Sequence, residues 1–302
     1  MQTRFFNKQA ALLLQKPIYA WSMTGLLALF PFTGWLSLAL MALVTLRRDG
    51  FDGVRCFIVG LTVSICMAEI LGELPDVLDT VVPAYLLCYG SAYLLRHTEN
   101  WQWVAIFCMS VAVCVIACVH WFAPQFLMAQ YHTMLQMIHA IDKDHLVDQV
   151  FVNQSAMSQL KFAYYFFGIK VVSVVLSAIV PLMLARSIQA SLYYPGAFKQ
   201  EMINFRANQI ACILFLLIMF GAYQHHLLSI SCLPIFFVYL MMAGVSLILS
   251  LLVKRKNWVI YATLLFPMLI LPYVVLPMYV LFGSIDSVFN LRRRWCLPIC
   301  RD

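Results

Sequence analysis

Three ionisable side chains lie in or beside long apolar runs of this 302-residue chain and are its first candidates for chemistry: Lys170, Glu69 and Asp286. A lone ammonium or carboxylate is costly in the hydrocarbon of a bilayer, so such groups are paired, wetted or functional. Lys170 lies nine residues into the run that begins at Lys161, close to the middle of a membrane span. We therefore predict an intramembrane polar site in which Glu69 or Asp286 neutralises Lys170.

Lys170 and Glu69 each have a plainer interpretation as well. If the helix begins later than Lys161, the Lys170 side chain extends to the outer interface instead. Glu73 follows Glu69 one helical turn later, which also fits two carboxylates at the outer rim of the bundle. The sequence leaves both alternatives open.

A second polar group follows the apolar run that ends at Ala185. Its basic residues predict a cytoplasmic loop over residues 186–209. Pro195 and Gly196 predict a turn, after which Phe198 dips back into the interface and a short interfacial helix follows. The loop is either an ordinary elbow or a docking surface for a cytoplasmic partner. The candidate docking residues are Arg186, Gln189, Pro195, Gly196, Phe198, Glu201 and Arg206.

Motifs of the common soluble enzymes are absent from the sequence. It contains no P-loop, dinucleotide-binding, kinase, serine-hydrolase or zinc-protease pattern. Cys114 and Cys118 have helical spacing, but no histidine or carboxylate matches them as a further metal ligand. We therefore predict that the protein is not an enzyme and has no catalytic residue, metal site or cofactor.

The composition indicates that the solvent of this chain is lipid. Hydrophobic residues make up 63% and charged residues 11% of it, with a mean hydropathy of +0.86, whereas soluble domains are about one quarter charged. Apolar stretches long enough to cross a bilayer recur along the whole chain. We predict an all-α, polytopic transmembrane bundle of about eight spans, forming one integral membrane domain over residues 1–302.

The basic residues set the predicted orientation. The net charge is +7, and Lys and Arg lie just outside the apolar runs, which indicates membrane topology and no nucleic-acid partner. The first run, residues 19–46, has no cleavage site and reads as a retained anchor with a cytoplasmic N-terminus. Pro31 and Gly34 predict that it is either one kinked helix or a pair of short helices. The last run, residues 258–289, contains three prolines and predicts a broken helix pair that returns to the cytoplasm.

The longest polar segment, residues 123–160, is predicted to lie outside the membrane. Its apolar residues recur every three or four positions, which is typical of an amphipathic helix. We expect this helix to lie on the membrane or to cap the bundle.

Residues 184–190, followed by residues 192–198 and Glu201, resemble the YybS-like family of bacterial membrane proteins of uncharacterised function. Members of that family read Ala-Arg-x-x-Gln-Ala, then Asn-Pro-Gly-Gly-Phe, then Glu-Phe. This chain has Tyr194 for the Asn, Ala197 for the second Gly and Met202 for the Phe.

The C-terminal motif is similar to the terminal Gly-x-x-Asp-Ser and Arg-Arg block of the same family, and residues 46–50 are a third match. The motif residues are Gly283, Asp286, Arg292, Arg293 and Arg294. The resemblance implies a multi-pass protein of the bacterial inner membrane. The family is also distantly similar to substrate-binding subunits of vitamin uptake systems and to a rod-shape membrane protein.

These observations lead to two functional hypotheses. In the first, the chain is a transporter-like or substrate-capture subunit that docks a cytoplasmic partner through the loop at 186–209. In the second, it is a non-catalytic scaffold or assembly factor in envelope organisation. Under either hypothesis, the predicted partners of the protein are the lipid bilayer and a membrane or cytoplasmic protein. The sequence does not identify a small-molecule ligand.

Overall fold

The computed structural model describes residues 17–48, 50–141, 156–252, 266–267 and 269–292. Within these ranges all regular structure is helical, which confirms the predicted all-α class. The helices are α1 (Pro17–Ala28), α2 (Gly34–Arg47), α3 (Gly50–Leu71), α4 (Leu74–Thr98), α5 (Trp101–Phe122), α6 (Pro124–Ile141), α7 (Ala156–Tyr193), α8 (Ala197–Asn204), α9 (Gln209–Tyr223), α10 (Leu227–Leu252) and α11 (Pro272–Phe289).

Six of these helices are long and apolar enough to cross a membrane, namely α3, α4, α5, α7, α10 and α11. Helices α8 and α9 pass the same test together across a 51° bend, which gives up to seven spans in the described residues. The prediction of about eight spans counted the first apolar run, whose helices α1 and α2 are each too short to be included.

The chain divides into two compact units. Unit 1 comprises Met1–Cys108 and Ser173–Asn204, and unit 2 comprises Met109–Val172 and Phe205–Asp302. Of the three boundaries, two fall within helices, one in α5 and one in α7, and the third follows the last residue of α8.

Unit 1 begins with a hairpin of two short helices, as one of the two sequence alternatives predicted. A 3-10 turn at Pro31–Thr33 separates α1 from α2. The Thr33 hydroxyl donates to the Leu27 carbonyl at 2.7 Å, and the Ser37 hydroxyl donates to the Thr24 carbonyl at 3.0 Å. At 1.5 Å per residue α1 and α2 are about 18 and 21 Å long, shorter than the hydrocarbon core of a bilayer.

Helix α2 is the centre of unit 1, since nine of its fourteen residues are buried. The Ser37 hydroxyl also lies 2.8 Å from the Tyr85 hydroxyl of α4. At the C-terminal end of α2, the Arg96 guanidinium donates to the Thr45 carbonyl at 3.3 Å and to the Arg48 carbonyl. A cation at this position satisfies carbonyls that lack a partner inside the helix.

Unit 2 has an apolar core made by α5, α6, α7 and α10: Ile116, Leu127, Tyr164, Phe167 and Cys232. Helix α6 lies within the predicted segment 123–160, of which residues 142–155 are outside the described residues. The Phe126 ring packs edge-on against Phe167, and Gln130 contacts Lys170, so α6 and α7 run parallel here. The amphipathic helix therefore packs against α7 at these residues, and Leu127 of its apolar face belongs to the core of unit 2.

The rest of unit 2 is built around α10. A tight turn joins α9 to α10, so the two are antiparallel. Helix α11 contacts Cys212 through Ser284 and Arg206 through Asp286, and therefore runs antiparallel to α9. It ends at the same end of the unit as α10. This direction agrees with the prediction that the last apolar run, residues 258–289, is a broken helix pair that turns back. The described backbone of this run departs from helical geometry at Leu271.

Candidate functional site

The predicted loop 186–209 contains a closed polar network within unit 1. The Arg186 guanidinium binds both carboxylate oxygens of Glu201, at 2.5 and 3.1 Å, and donates to the Gln189 amide oxygen at 2.9 Å. The Trp101 indole donates to the same Glu201 carboxylate at 2.9 Å. Arg186 and Glu201 are mostly buried, with 15% and 18% of their side chains exposed. A bidentate pair of this kind fixes both distance and orientation.

Helix α7 continues eight residues past Ala185 to Tyr193, so the first part of the segment 186–209 is helical. Arg186 and Gln189 are therefore one turn apart on a helix. The chain reverses at residues 194–196, where Gly196 has φ 93° and the Ala197 amide donates to the Tyr194 carbonyl at 3.0 Å. The predicted turn at Pro195 and Gly196 and the short helix that contains Glu201 are confirmed.

We call residues 186–201 the elbow, and its predicted docking residues fall into two groups. Arg186, Gln189 and Glu201 point into unit 1, where they hold α8 against α7. Phe198 packs edge-on against the Trp101 ring, with centroids 6.4 Å apart, instead of entering the interface alone. Pro195 and Gly196 are exposed at the turn, and the other exposed residues of the elbow are Ser191, Tyr193, Tyr194, Lys199 and Gln200.

Lys170 lies in the middle of α7, and its ammonium donates to the Gln130 amide oxygen of α6 at 2.5 Å. Gln130 solvates the ammonium but carries no opposite charge. Lys170 is fourteen residues, or about 21 Å, from the start of α7 at Ala156. The structure therefore gives Lys170 a partner that the sequence analysis did not consider.

Asp286 lies in the last turns of α11 and is fully buried. One carboxylate oxygen accepts from the Arg292 guanidinium at 2.9 Å, and the other has no hydrogen-bond partner in the described part of the chain. Arg292 also donates to the Ser246 hydroxyl of α10 at 3.3 Å, and Ser246 donates to the Phe205 carbonyl at 2.8 Å. The C-terminal motif thus ties α11 to α10 and to the segment before α9.

Arg206 belongs to this second network and not to the elbow. Its guanidinium donates to the Asp286 carbonyl at 3.1 Å and to the Ser287 carbonyl at 2.7 Å. These carbonyls lie in the last turn of α11, where the helix dipole also favours a cation. Gly283 of the motif lies at the contact with α10, whereas Arg293 and Arg294 are outside the described residues.

Glu69 is exposed in the last turn of α3, within unit 1. Gly72, with φ 74°, ends the helix three residues later, and its amide donates to the Glu69 carbonyl at 3.3 Å. This position agrees with the plainer interpretation, in which Glu69 lies at the rim.

Several residues of these networks were missed by the sequence analysis. Trp101 is the first residue of α5, and only 7% of it is exposed. Ser246 carried a weak signal, since it lies in a mostly apolar stretch, whereas Gln130 is one of several polar residues of the segment 123–160 and did not stand out. Their partners come from helices distant in the sequence.

No protein-family model, curated protein or solved structure was found to match this chain. The functional conclusions below therefore rest on the residues and their geometry.

Proposed function

We propose that the protein is a non-catalytic subunit of the bacterial inner membrane that captures or passes a small polar solute and docks a cytoplasmic partner through the turn of the elbow. The observation that carries this proposal is the Lys170 to Gln130 contact, which links α6 and α7 inside unit 2. Ionisable groups within membrane helices most often serve substrate or ion pathways.

The exposed face of α6 supports a solute path next to this contact. Leu127 and Tyr131 are buried, whereas His132, Thr133 and Gln136 are exposed one or two turns further along the helix. Helix α6 runs parallel to α7 beside Lys170, so these imidazole, hydroxyl and amide groups continue along the helix from that contact. Exposed imidazole, hydroxyl and amide groups can form hydrogen bonds with a small polar solute.

The elbow supports the docking part of the proposal. The Arg186 to Glu201 pair fixes α8 against α7, so the turn between them is held in one conformation. Tyr194 is 60% exposed at this turn, and exposed tyrosines are enriched at protein interfaces. A rigid turn with exposed aromatic side chains binds a partner with little loss of conformational entropy.

Small molecules released from the purified protein test the solute hypothesis. We compare the wild type with Lys170→Met and use Lys161→Met, on the same helix, as the matched control. The expected result is a small polar molecule, detected by mass spectrometry, that is retained by the wild type and by Lys161→Met but lost from Lys170→Met. An identical set of molecules in all three samples, or none in the wild type, would exclude Lys170 as a solute contact.

A scaffold in envelope organisation is the second candidate function, and the elbow favours it too, because a fixed turn suits a permanent partner. Co-purification distinguishes the two. If Tyr194→Ala loses an envelope-assembly protein while no sample releases a small molecule, the scaffold function holds.

A further inference from the structure

The C-terminal ends of α2 and α7 meet in unit 1 through an arginine and a tyrosine. Arg47, the last residue of α2, places its guanidinium carbon 3.5 Å from the centre of the Tyr193 ring, the last residue of α7. Arg47 is exposed, and Tyr193 is 39% exposed. A guanidinium that stacks on an aromatic face keeps its N–H edges free for a second partner.

Other charges at this end of unit 1 are already used. Asp52 lies 3.1 Å from Arg48 and 3.4 Å from Arg55, and Glu201 is held by Arg186. In the described part of the chain, no carboxylate lies within ion-pair distance of Arg47. This includes Glu99, which is exposed and close to Arg96 in the sequence. With respect to the described carboxylates, Arg47 therefore keeps an available positive charge where the two helices end.

We propose that Arg47 and Tyr193 form a binding site for the phosphate headgroup of an anionic phospholipid. The planar guanidinium matches two phosphate oxygens in a bidentate fork, and stacking on Tyr193 already fixes its plane. A lipid is favoured over a soluble anion because the arginine and the exposed tyrosine lie side by side where α7, one of the candidate membrane spans, ends. Basic sites between membrane helices take anionic headgroups in this way.

Native mass spectrometry of the full-length protein in a neutral detergent tests the proposal. Phosphatidylglycerol is titrated as the anionic probe and phosphatidylcholine as the zwitterionic one. Arg47→Gln is expected to raise the Kd of the first bound phosphatidylglycerol about tenfold, because one charge-assisted bidentate contact is lost. Tyr193→Leu is expected to raise this Kd less, because the charge remains but loses its fixed plane.

Arg55→Gln is the matched control, since Arg55 is also an exposed arginine of unit 1 but has Asp52 as its partner. It is expected to change phosphatidylglycerol binding less than twofold. If Arg47→Gln and Arg55→Gln lose the same affinity for phosphatidylglycerol, the binding reflects general electrostatic attraction and the proposed site is overturned. Equal binding of both lipids by the wild type would overturn it too. Displacement of the lipid by millimolar inorganic phosphate at constant ionic strength would assign the site to a free anion.

Discussion

Gly283 allows α10 and α11 to pack backbone against backbone, and replacing it gives the sharpest test of unit 2. A Cβ atom at Gly283 would lie 2.1 Å from the Leu240 carbonyl oxygen, and one at Gly244 would lie 1.9 Å from the Tyr279 carbonyl oxygen. Both obstacles are backbone atoms, which cannot rotate away as a side chain does. Close approach through small residues is the usual way in which membrane helices pack.

The cost of Gly283→Ala follows from these distances. Ordinary contact begins at 3.4 Å, so the two helices must separate by about 1.3 Å. Overpacking of this kind costs about 1–3 kcal/mol, and the better helix propensity of alanine offsets about 0.5–1 kcal/mol. We therefore expect a net loss of about 1–2 kcal/mol and a Tm lower by about 2–8 °C.

Thermal unfolding in detergent, followed with a thiol-reactive fluorescent reagent, measures this loss. Cys212 and Cys232 of unit 2 are buried and become reactive when the helices separate, whereas Cys66, Cys114 and Cys118 are exposed and give a constant background. Gly34→Ala is the control, because nothing lies within 4 Å of a Cβ there. If the Tm of Gly283→Ala equals that of the wild type, or is higher, as the Tm of Gly34→Ala is expected to be, the close contact of α10 and α11 is refuted.

Two further predictions concern the polar networks. Glu201→Gln removes the charge that holds Arg186 and is expected to free α8 from α7, at a cost of about 3 kcal/mol. Trypsin should then cleave after Lys199 faster than it does in the wild type or in the control variant Gln200→Ala. An unchanged cleavage rate would contradict the role of the Arg186–Glu201 pair in holding α8. Asp286→Asn removes the ion pair with Arg292 but leaves the Arg206 bonds to the backbone, so we expect the end of α11 to loosen without unfolding. Faster labelling of Cys212, whose thiol contacts the Ser284 carbonyl, would show this by peptide mass spectrometry, while wild-type labelling would mean that the ion pair does not hold the helix end.

Local signals in the sequence predicted the helices and their breaks. The apolar runs set the spans, and Pro31 with the following Gly34 marked the hairpin of α1 and α2, because proline and glycine disfavour a continuous helix. Gly196 marked the reversal at the elbow for a similar reason, since its φ of 93° is unfavourable for other residues.

The pairing of side chains could not be predicted in the same way. Arg186 was taken as the end of a membrane span, because a charged residue after an apolar run usually marks the exit from the bilayer. The helix continues to Tyr193, and Glu201 of α8 binds the Arg186 guanidinium while the same carboxylate accepts from the Trp101 indole of α5. Lys170 shows the same limit: charge matching selected Glu69 or Asp286, whereas the structure also brings the Gln130 amide oxygen of α6 to its ammonium.

The basic residues that predicted the topology also hold helix ends together. Arg96 binds carbonyls at the end of α2 in unit 1, and Arg206 binds carbonyls at the end of α11 in unit 2. Arg186 and Arg292 each neutralise a carboxylate of their own unit. A count of Lys and Arg therefore overstates the charge available to a partner, because most of these arginines are already bound within the fold. Among the described residues, Arg47 and Lys199 are the Lys and Arg side chains that are exposed and have no carboxylate partner; Lys199 lies within the elbow and Arg47 contacts it at Tyr193.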